Sequence, residues 1–329
     1  MKPFHSFAML AVIAAASQAF AVDATTTPVG YETLGIIPGY NFLGLRLQRT
    51  PVAAGKISAV TTSSITVGNS LDLGALLDDN TTYILEVSNA NGVTQEVLGS
   101  AATGSVLTTP NLSTVVAVND SYIIRAAATL NSVFGPNDEA GLEQSFSGPG
   151  GDVIYLPTGG GNFNLYYFDT LNASWSDYNT GSAVNGNAIA VNYADSVLIY
   201  SNGAGATALT VSGEVKKGAT GYALDPGYNF LGSIYPAGST LSSALDAAVT
   251  AGSLDQSFSG PGGDVVYVPD GAGSFGLYYY DTLNASWSDY NTGSPVTATS
   301  ISLPSGVLIY NDGASANVVA NAPASYSSL

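Results

Sequence analysis

Short apolar runs, broken by Gly, Asn, Asp and Pro, recur along most of the chain and predict β-strands. Two runs, Val197–Tyr200 and Val307–Tyr310, are apolar throughout, which is typical of central strands buried on both faces. We expect Pro157 and Pro269 to end their strands, because proline donates no hydrogen bond to a neighbouring strand. Further strands are predicted at Val153–Leu156, Phe163–Phe168, Thr207–Val215, Val265–Val268, Phe275–Tyr280 and Ala316–Ala320.

One segment has a helical period instead. Apolar residues fall three and four positions apart from Leu241 to Val249, Ser239 and Thr240 can cap the start, and Gly252 can end it. The pattern predicts one short helix near 240–251. The segment Thr129–Phe134 resembles its beginning and is expected to form a single turn.

Two long stretches of the chain occur twice. Gln144–Asp152 recurs as Gln256–Asp264, and Asp169–Ser182 recurs as Asp281–Ser294, both 112 residues further on. A third pair, Pro38–Gly44 and Pro226–Gly232, is separated by 188 residues. The spacings differ by 76 residues, so the first copy contains an insert that the second copy lacks.

The sequence therefore predicts an all-β chain of tandem β-sandwich or barrel-like modules. The first repeat comprises 22–49 and 126–215, the insert 50–125 and the second repeat 216–329. Within the insert, Asn91-Gly92 is typical of a two-residue hairpin turn. The insert's predicted strands, which suggest a small β-domain mounted on the first repeat, are Lys56–Val60, Ser64–Val67, Tyr83–Val87, Val93–Leu98 and Ser121–Arg125.

The first 21 residues have the form of a secretory signal peptide. Lys2 and His5 precede an apolar run from Phe7 to Ala16, and small residues lead to a cleavage site after Ala21. The run is too short to span a bilayer as a mature helix. We expect a secreted, extracellular or cell-surface protein, exported by a bacterial route, with no membrane span.

Composition excludes several kinds of chemistry. After cleavage the chain contains no Cys, Met or His, which excludes disulfides, thiolate nucleophiles and Ser–His triads. The chain carries 24 acidic and 7 basic residues, and such acidity argues against nucleic acid as a partner. No cofactor is expected, although weak Ca²⁺ binding at Asp78–Asn80 or Asn137–Glu139 stays open.

Five short motifs follow one another along the chain: Gly55–Val67, Asn119–Arg125, Thr129–Gly135, Gly151–Pro157 and Val211–Val215. The chain resembles an uncharacterised secreted β-rich family of verrucomicrobial-type bacteria over about residues 27–215, and departs from it by adding the second repeat. The resemblance implies export and a β architecture, and it supplies no activity, ligand or catalytic residue.

The repeated tryptophan segment has two interpretations. It could be a ligand loop in which the indole stacks on a sugar, or a hairpin whose tryptophan covers an apolar sheet face. Carboxylate pairs such as Asp169 with Asp177, or the group Asp138, Glu139 and Glu143, keep a histidine-free glycosidase open as a third hypothesis. The candidate ligand residues are Trp175, Asp177 and Tyr178 with their copies Trp287, Asp289 and Tyr290.

The abundance of tyrosine favours self-association, since tyrosine suits half-exposed sheet faces and interfaces. The leading hypothesis is a non-catalytic extracellular structural protein that assembles with itself into a filament, sheath or surface layer. Unpaired strand edges would make the contacts. The alternative is a module that adheres to extracellular glycans. The candidate assembly residues are Val22, Tyr31 and Ile36 near one terminus and Val318 and Val319 near the other.

Overall fold

The computed structural model describes residues 28–68, 71–78, 80–89, 93–99, 101–104, 106–108, 116–146, 148–159, 161–193, 195–203, 207–232, 235–303 and 305–328. The predicted signal peptide, Val22 and the Asn91-Gly92 turn lie outside these residues. Strands account for 47% and helices for 9%, so the prediction of an all-β fold is confirmed.

The strands follow the predicted runs closely. The first repeat opens with β1 (Val29–Ile36), β2 (Gly39–Gly44) and β3 (Leu47–Gln48). The insert contains one short helix, α1 (Leu73–Leu76), among its strands. Those strands are β4 (Ala53–Val60), β5 (Ser64–Val67), β6 (Tyr83–Ser88), β7 (Val93–Gly99), β8 (Ala101–Thr103), β9 (Val106–Thr108) and β10 (Ser121–Ala126).

The rest of the first repeat and the whole second repeat follow in parallel order. The remaining elements of the first repeat are β11 (Ala128–Thr129), α2 (Leu130–Phe134), β12 (Val153–Gly159), β13 (Asn162–Asp169), β14 (Ser174–Asp177), β15 (Ala190–Val191), β16 (Ser196–Ser201) and β17 (Thr207–Val215). Those of the second repeat are β18 (Ala219–Leu224), β19 (Gly227–Gly232), α3 (Leu241–Thr250), β20 (Val265–Pro269), β21 (Phe275–Asp281), β22 (Ser286–Asp289), β23 (Gly306–Asn311) and β24 (Ala316–Ala320), with 3₁₀ turns at Ala298–Ser300 and Ala324–Ser328.

Each repeat builds the same five-stranded antiparallel sheet. The order is β14-β13-β12-β16-β2 in the first repeat and β22-β21-β20-β23-β19 in the second. The predicted central strands, β16 and β23, each lie between two neighbours. All the sheets that the described residues form are open, so the barrel-like alternative of the prediction has no counterpart among them.

The insert is not a separate β-domain mounted on the first repeat alone, as the sequence had suggested. Its strands belong to a nine-stranded sheet of order β24-β18-β7-β6-β10-β4-β5-β9-β8, which contains two strands of the second repeat. The connection is a short parallel pairing of Ala219 and Thr220 with Val93 and Thr94. A separate three-stranded sheet, β1-β17-β3, joins the two ends of the first repeat.

The predicted helix is confirmed as α3. Thr240 caps it through a reciprocal pair of hydrogen bonds with Ser243, and Leu241, Leu245, Ala248 and Val249 are buried. In the first repeat Thr129 and Ser132 make the same capping box for the five-residue α2.

The prediction for Pro157 is wrong, because β12 continues through it to Gly159. On one side β12 pairs with β16 only at Val153 to Tyr155. Pro157 therefore faces Phe163 of β13 on one side and has no ladder partner on the other, and a position without a partner on one side is where proline is tolerated in a sheet. Pro269 does end β20.

Each unit has its own apolar core, and a fourth cluster lies between the repeats. This inter-repeat cluster contains Phe42, Leu198 and Phe230, with Phe163 and Phe275 packed against them. The contacts are reciprocal under the repeat relation. Phe163 stacks on Phe230 with ring centroids 4.6 Å apart, and their counterparts Phe275 and Phe42 are 5.7 Å apart. The two repeats therefore face each other across an approximate two-fold axis.

Candidate binding surfaces and association edges

Both repeated tryptophans are buried. The exposed fraction is 1% for Trp175 and 4% for Trp287. The indole N–H of Trp175 donates to the Gly135 carbonyl at 2.9 Å, and that of Trp287 donates to Asp246 Oδ1 at 2.8 Å. Each ring thus fastens a strand to a helix. The interpretation of these tryptophans as sugar platforms is corrected, because neither ring face is accessible.

The neighbouring aspartates close turns. Asp177 Oδ1 accepts hydrogen bonds from the N–H groups of Asn179 and Thr180 at 3.0 and 2.8 Å. Asp289 does the same for Asn291 and Thr292. These carboxylates satisfy backbone donors that the turn would otherwise leave unpaired. Their expected role as ligand partners has no support in this arrangement.

The other carboxylates singled out by the sequence are also engaged in local structure. Asp169 is buried and accepts from the Leu171 N–H at 2.8 Å and the Asn172 side-chain amide at 2.9 Å. Glu139 accepts from the backbone and side chain of Asn137. Burial raises the pKa of Asp138 to about 6, with a smaller contribution from the charge of Asp152.

The segments considered for Ca²⁺ make local contacts. Asp78 Oδ1 accepts from the Asn80 N–H at 2.9 Å, and Asp79 lies outside the described residues. Across the part of the chain that the structure describes, no group of three or more His, Cys, Asp or Glu is arranged to hold a metal ion.

Tyr178 and Tyr290, by contrast, stay near the surface in a constellation that the sequence reasoning missed. In the first repeat the neighbours that act on Tyr155 are Tyr40, Tyr178 and Tyr200, and they add to burial in raising its pKa. In the second repeat burial and then Tyr228, Tyr290 and Tyr310 raise the pKa of Tyr267. We call these two groups the tyrosine clusters. Part of their signal in the sequence was alternation along a strand: Tyr40 and Tyr200 lie two positions from Phe42 and Leu198 of the inter-repeat cluster.

The predicted strand Phe163–Phe168 carries two further tyrosines. Tyr166 and Tyr167 are buried, with 4% and 0% of their surface exposed. Tyr167 packs edge-on against Tyr178 at 6.0 Å, and Tyr279 packs in the same way against Tyr290 at 6.1 Å.

The edge strand β1 has one exposed row of side chains. It pairs with β17 along all eight residues and forms the end of its sheet. Tyr31 is 82% exposed and Val29 74% exposed, whereas Ile36 is 2% exposed and belongs to the core of the first repeat. The expectation for Ile36 as an assembly residue is therefore corrected, since the alternation of the strand turns it inward.

The candidate residues of the other terminus lie on β24, which is the end strand of the nine-stranded sheet. Val318 is fully buried in the core of the second repeat, so it is corrected from a surface contact to a core residue. Val319 is half-buried on the opposite face. The edge of β24 thus offers backbone groups and Val319, while Val318 holds the strand in place.

Comparisons with known proteins identify no relative of this chain. No family model, no curated protein and no solved structure matches this chain. Among the helices of the described residues, none has the length and apolar character that crossing a membrane requires.

Three basic residues, Arg46, Arg125 and Lys216, are buried and pair with acidic residues. Arg125 pairs with Glu86 at 3.0 Å and with Glu214 at 2.7 Å, and Lys216 lies 3.4 Å from Glu86. Arg46 pairs with Glu32 of β1. Since the whole chain has a formal charge of −17, most of its uncompensated charge lies at the surface and is negative.

Proposed function

We propose that this chain is a non-catalytic, exported structural protein that associates with copies of itself through its β1 edge. The observation that carries the proposal is the eight-residue strand β1, which among the described residues is paired on one side only and exposes Val29 and Tyr31. An unpaired edge with exposed apolar side chains is a template for another strand. Export rests on the predicted signal peptide.

The second edge that fits this role is β24. Neither β1 (VGYETLGI) nor β24 (ANVVA) contains the proline or lysine that often protects an edge. Pairing β1 of one copy with β24 of the next would be a head-to-tail contact. Such contacts do not close on themselves unless the rotation allows a ring, so they produce filaments.

Exposed apolar side chains in loops further support the proposal of self-association. Phe146 and its copy Phe258 are each 75% exposed, and Leu171 and its copy Leu283 are 59% and 61% exposed. The Thr170 N–H donates to the Ser145 carbonyl at 2.9 Å, which brings the Phe146 and Leu171 loops together. Exposed phenylalanines at loop tips are typical of interaction surfaces.

The non-catalytic part of the proposal is supported by how the carboxylates are used. Asp152 accepts from the Asn202 N–H at 2.7 Å, and its counterpart Asp264 accepts from the Asp312 N–H at 2.8 Å. Like Asp169 and Asp177, they hold loops in place. An acid pair for glycoside hydrolysis would instead have to face a shared cleft.

The test uses the mature chain from Val22 and a double variant, Val29→Lys with Tyr31→Lys. Lysines on an edge strand oppose edge-to-edge pairing, so the concentration-dependent oligomers of the wild type should shift to monomer in sedimentation velocity and disappear from electron micrographs. Val118→Lys is the matched control, because Val118 is 51% exposed and lies in a loop of the insert. A wild type that stays monomeric at every concentration, with or without Ca²⁺, would overturn the proposal.

A further inference from the structure

The tyrosine clusters of the two repeats are joined by Phe275 into one continuous row of rings. From Tyr200 to Tyr40 the ring centroids are 5.0 Å apart, and from Tyr40 to Phe275 6.1 Å. The row continues from Phe275 to Tyr267 over 6.4 Å, from Tyr267 to Tyr228 over 6.2 Å and from Tyr228 to Tyr310 over 5.0 Å. We call these six residues the aromatic track.

The rings of the track are partly exposed along its length, and their conformations are fixed. Tyr40 is 41% and Tyr228 43% exposed, and the other four rings are half-buried. Each ring is fixed by its neighbours and by the sheet strand that carries it, so little side-chain entropy remains to be lost on binding. A rigid, half-exposed aromatic row is a common form of recognition surface.

The repeat relation places a matching pair of rings at each end of the track. Tyr228 and Tyr310 of the second repeat correspond to Tyr40 and Tyr200 of the first, and both pairs have the same 5.0 Å spacing. The same ring pair therefore occurs at both ends of the track in opposed orientations, so a ligand that contacts both ends must offer similar groups along its length. A polymer of repeating units meets this condition.

The charge of the chain favours a neutral ligand over an anionic one on the track. None of the six track residues is charged, and burial raises the pKa of Tyr267, which keeps its phenol neutral. The formal charge of −17 repels anionic polymers at this uncharged face. A neutral polysaccharide pays no such cost, and the C–H faces of its sugar rings pack on aromatic faces while tyrosine hydroxyls bond to sugar hydroxyls.

We propose that the aromatic track binds a neutral polysaccharide that runs across both repeats. This activity is separate from the proposed self-association, since the track lies on the five-stranded sheets and β1 belongs to another sheet. It also relocates the glycan-binding hypothesis from the buried tryptophans to surface tyrosines.

The experiment is affinity electrophoresis of the mature protein in native gels that contain xylan, mixed-linkage β-glucan, galactomannan or dextran. At least one of these polymers should retard the wild type. The double variant Tyr40→Ala with Tyr228→Ala should bind that polymer about tenfold more weakly. Val118→Ala serves as the control, because Val118 is 51% exposed and lies in a loop of the insert, off the track and off the β1 edge, and its retardation should equal that of the wild type.

Three results would overturn the inference. They are no retardation of the wild type by any of the four neutral polymers, retardation by the anionic polymer alginate alone, and equal retardation of the wild type and the double variant. If the double variant instead loses wild-type oligomers in sedimentation velocity, the occupant of the track is a second copy. Should the double variant misfold by near-ultraviolet circular dichroism, the single variant Tyr40→Ala takes its place.

Discussion

At the scale of single residues, the type of a side chain did not reveal its position. Trp175 attracted attention as a repeated aromatic residue, yet it pairs across the hairpin with Phe168 and shares the core face of that strand. Tyr31 belongs to a less conspicuous sequence and is among the most exposed side chains. The face of Trp175 depends on the hairpin register, which the turn at Ala173 sets with a positive φ of 48°.

Asp138 gives a pH prediction at this scale. Burial raises its pKa from 3.8 to about 6, so the stability that it contributes is complete below pH 4 and is lost as the pH rises through 6. Asp138→Asn keeps an acceptor for the Leu142 N–H and removes the buried charge. Between pH 4 and pH 7 the free energy of unfolding should therefore fall by about 2 kcal/mol more in the wild type than in the variant.

Urea denaturation of both proteins at pH 4 and pH 7 measures this difference. Glu139→Gln, at an exposed neighbouring position, is the control and should not reproduce the effect. Parallel pH profiles for the wild type and Asp138→Asn would show that the carboxyl of Asp138 is not raised in pKa.

At the scale of elements, local patterns predicted most strands. They did not predict the pairing between strands that are far apart in the sequence. Ser64–Val67, Ala316–Ala320 and the helix from Leu241 have the expected positions because alternation, period and capping residues are local signals. The parallel pairing of Ala219 with Val93 joins segments that are far apart in the chain. Nothing in either segment's own pattern specifies that partner, so the attachment of the insert to the second repeat could not be predicted.

The buried ion cluster connects elements that the chain separates widely. Glu86 on β6 accepts from Gln48 of β3 at 2.6 Å and from Arg125 of β10 at 3.0 Å, and Arg125 also bonds to Glu214 of β17. Lys216 and Arg125 outweigh the effect of burial and lower the pKa of Glu86. The insert is thus fastened to the three-stranded sheet by balanced charges.

Glu86→Gln should destabilise the protein by roughly 3–5 kcal/mol, because it leaves Arg125 and Lys216 buried without sufficient negative charge. Thermal unfolding followed by circular dichroism measures the loss. Glu143→Gln changes the same residue type outside this cluster and should have little effect. If Glu86→Gln unfolds at the wild-type temperature, the cluster is not a fastening of the insert.

At the scale of the whole molecule, the sequence showed the duplication. It did not show that the two repeats contact each other. Phe42 and Phe163 alternate with core residues in their strands, which places them on the outer face without saying what covers it. The structure covers that face with the second repeat. Much of the aromatic content that suggested contacts between molecules is therefore used within one molecule.

The acidity of the molecule predicts how salt acts on self-association. Copies that each carry a formal charge of −17 repel one another, and raising NaCl from 0.1 to 1 M shortens the Debye length from about 10 Å to about 3 Å. The oligomeric fraction in sedimentation velocity should therefore rise with NaCl. Sucrose at equal osmolality screens no charge and should leave that fraction nearer its low-salt value; oligomers that dissociate in 1 M NaCl would contradict the expectation.

The approximate two-fold relation between the repeats has a consequence for valency. Surface features that both repeats share, such as the Phe146 loop and its copy at Phe258, occur twice and in opposed orientations on one chain. A molecule of this kind can bridge two identical targets without forming an oligomer first, and simultaneous engagement of both multiplies weak contacts into avidity. Duplication thus gives each chain two copies of the same candidate contact surface.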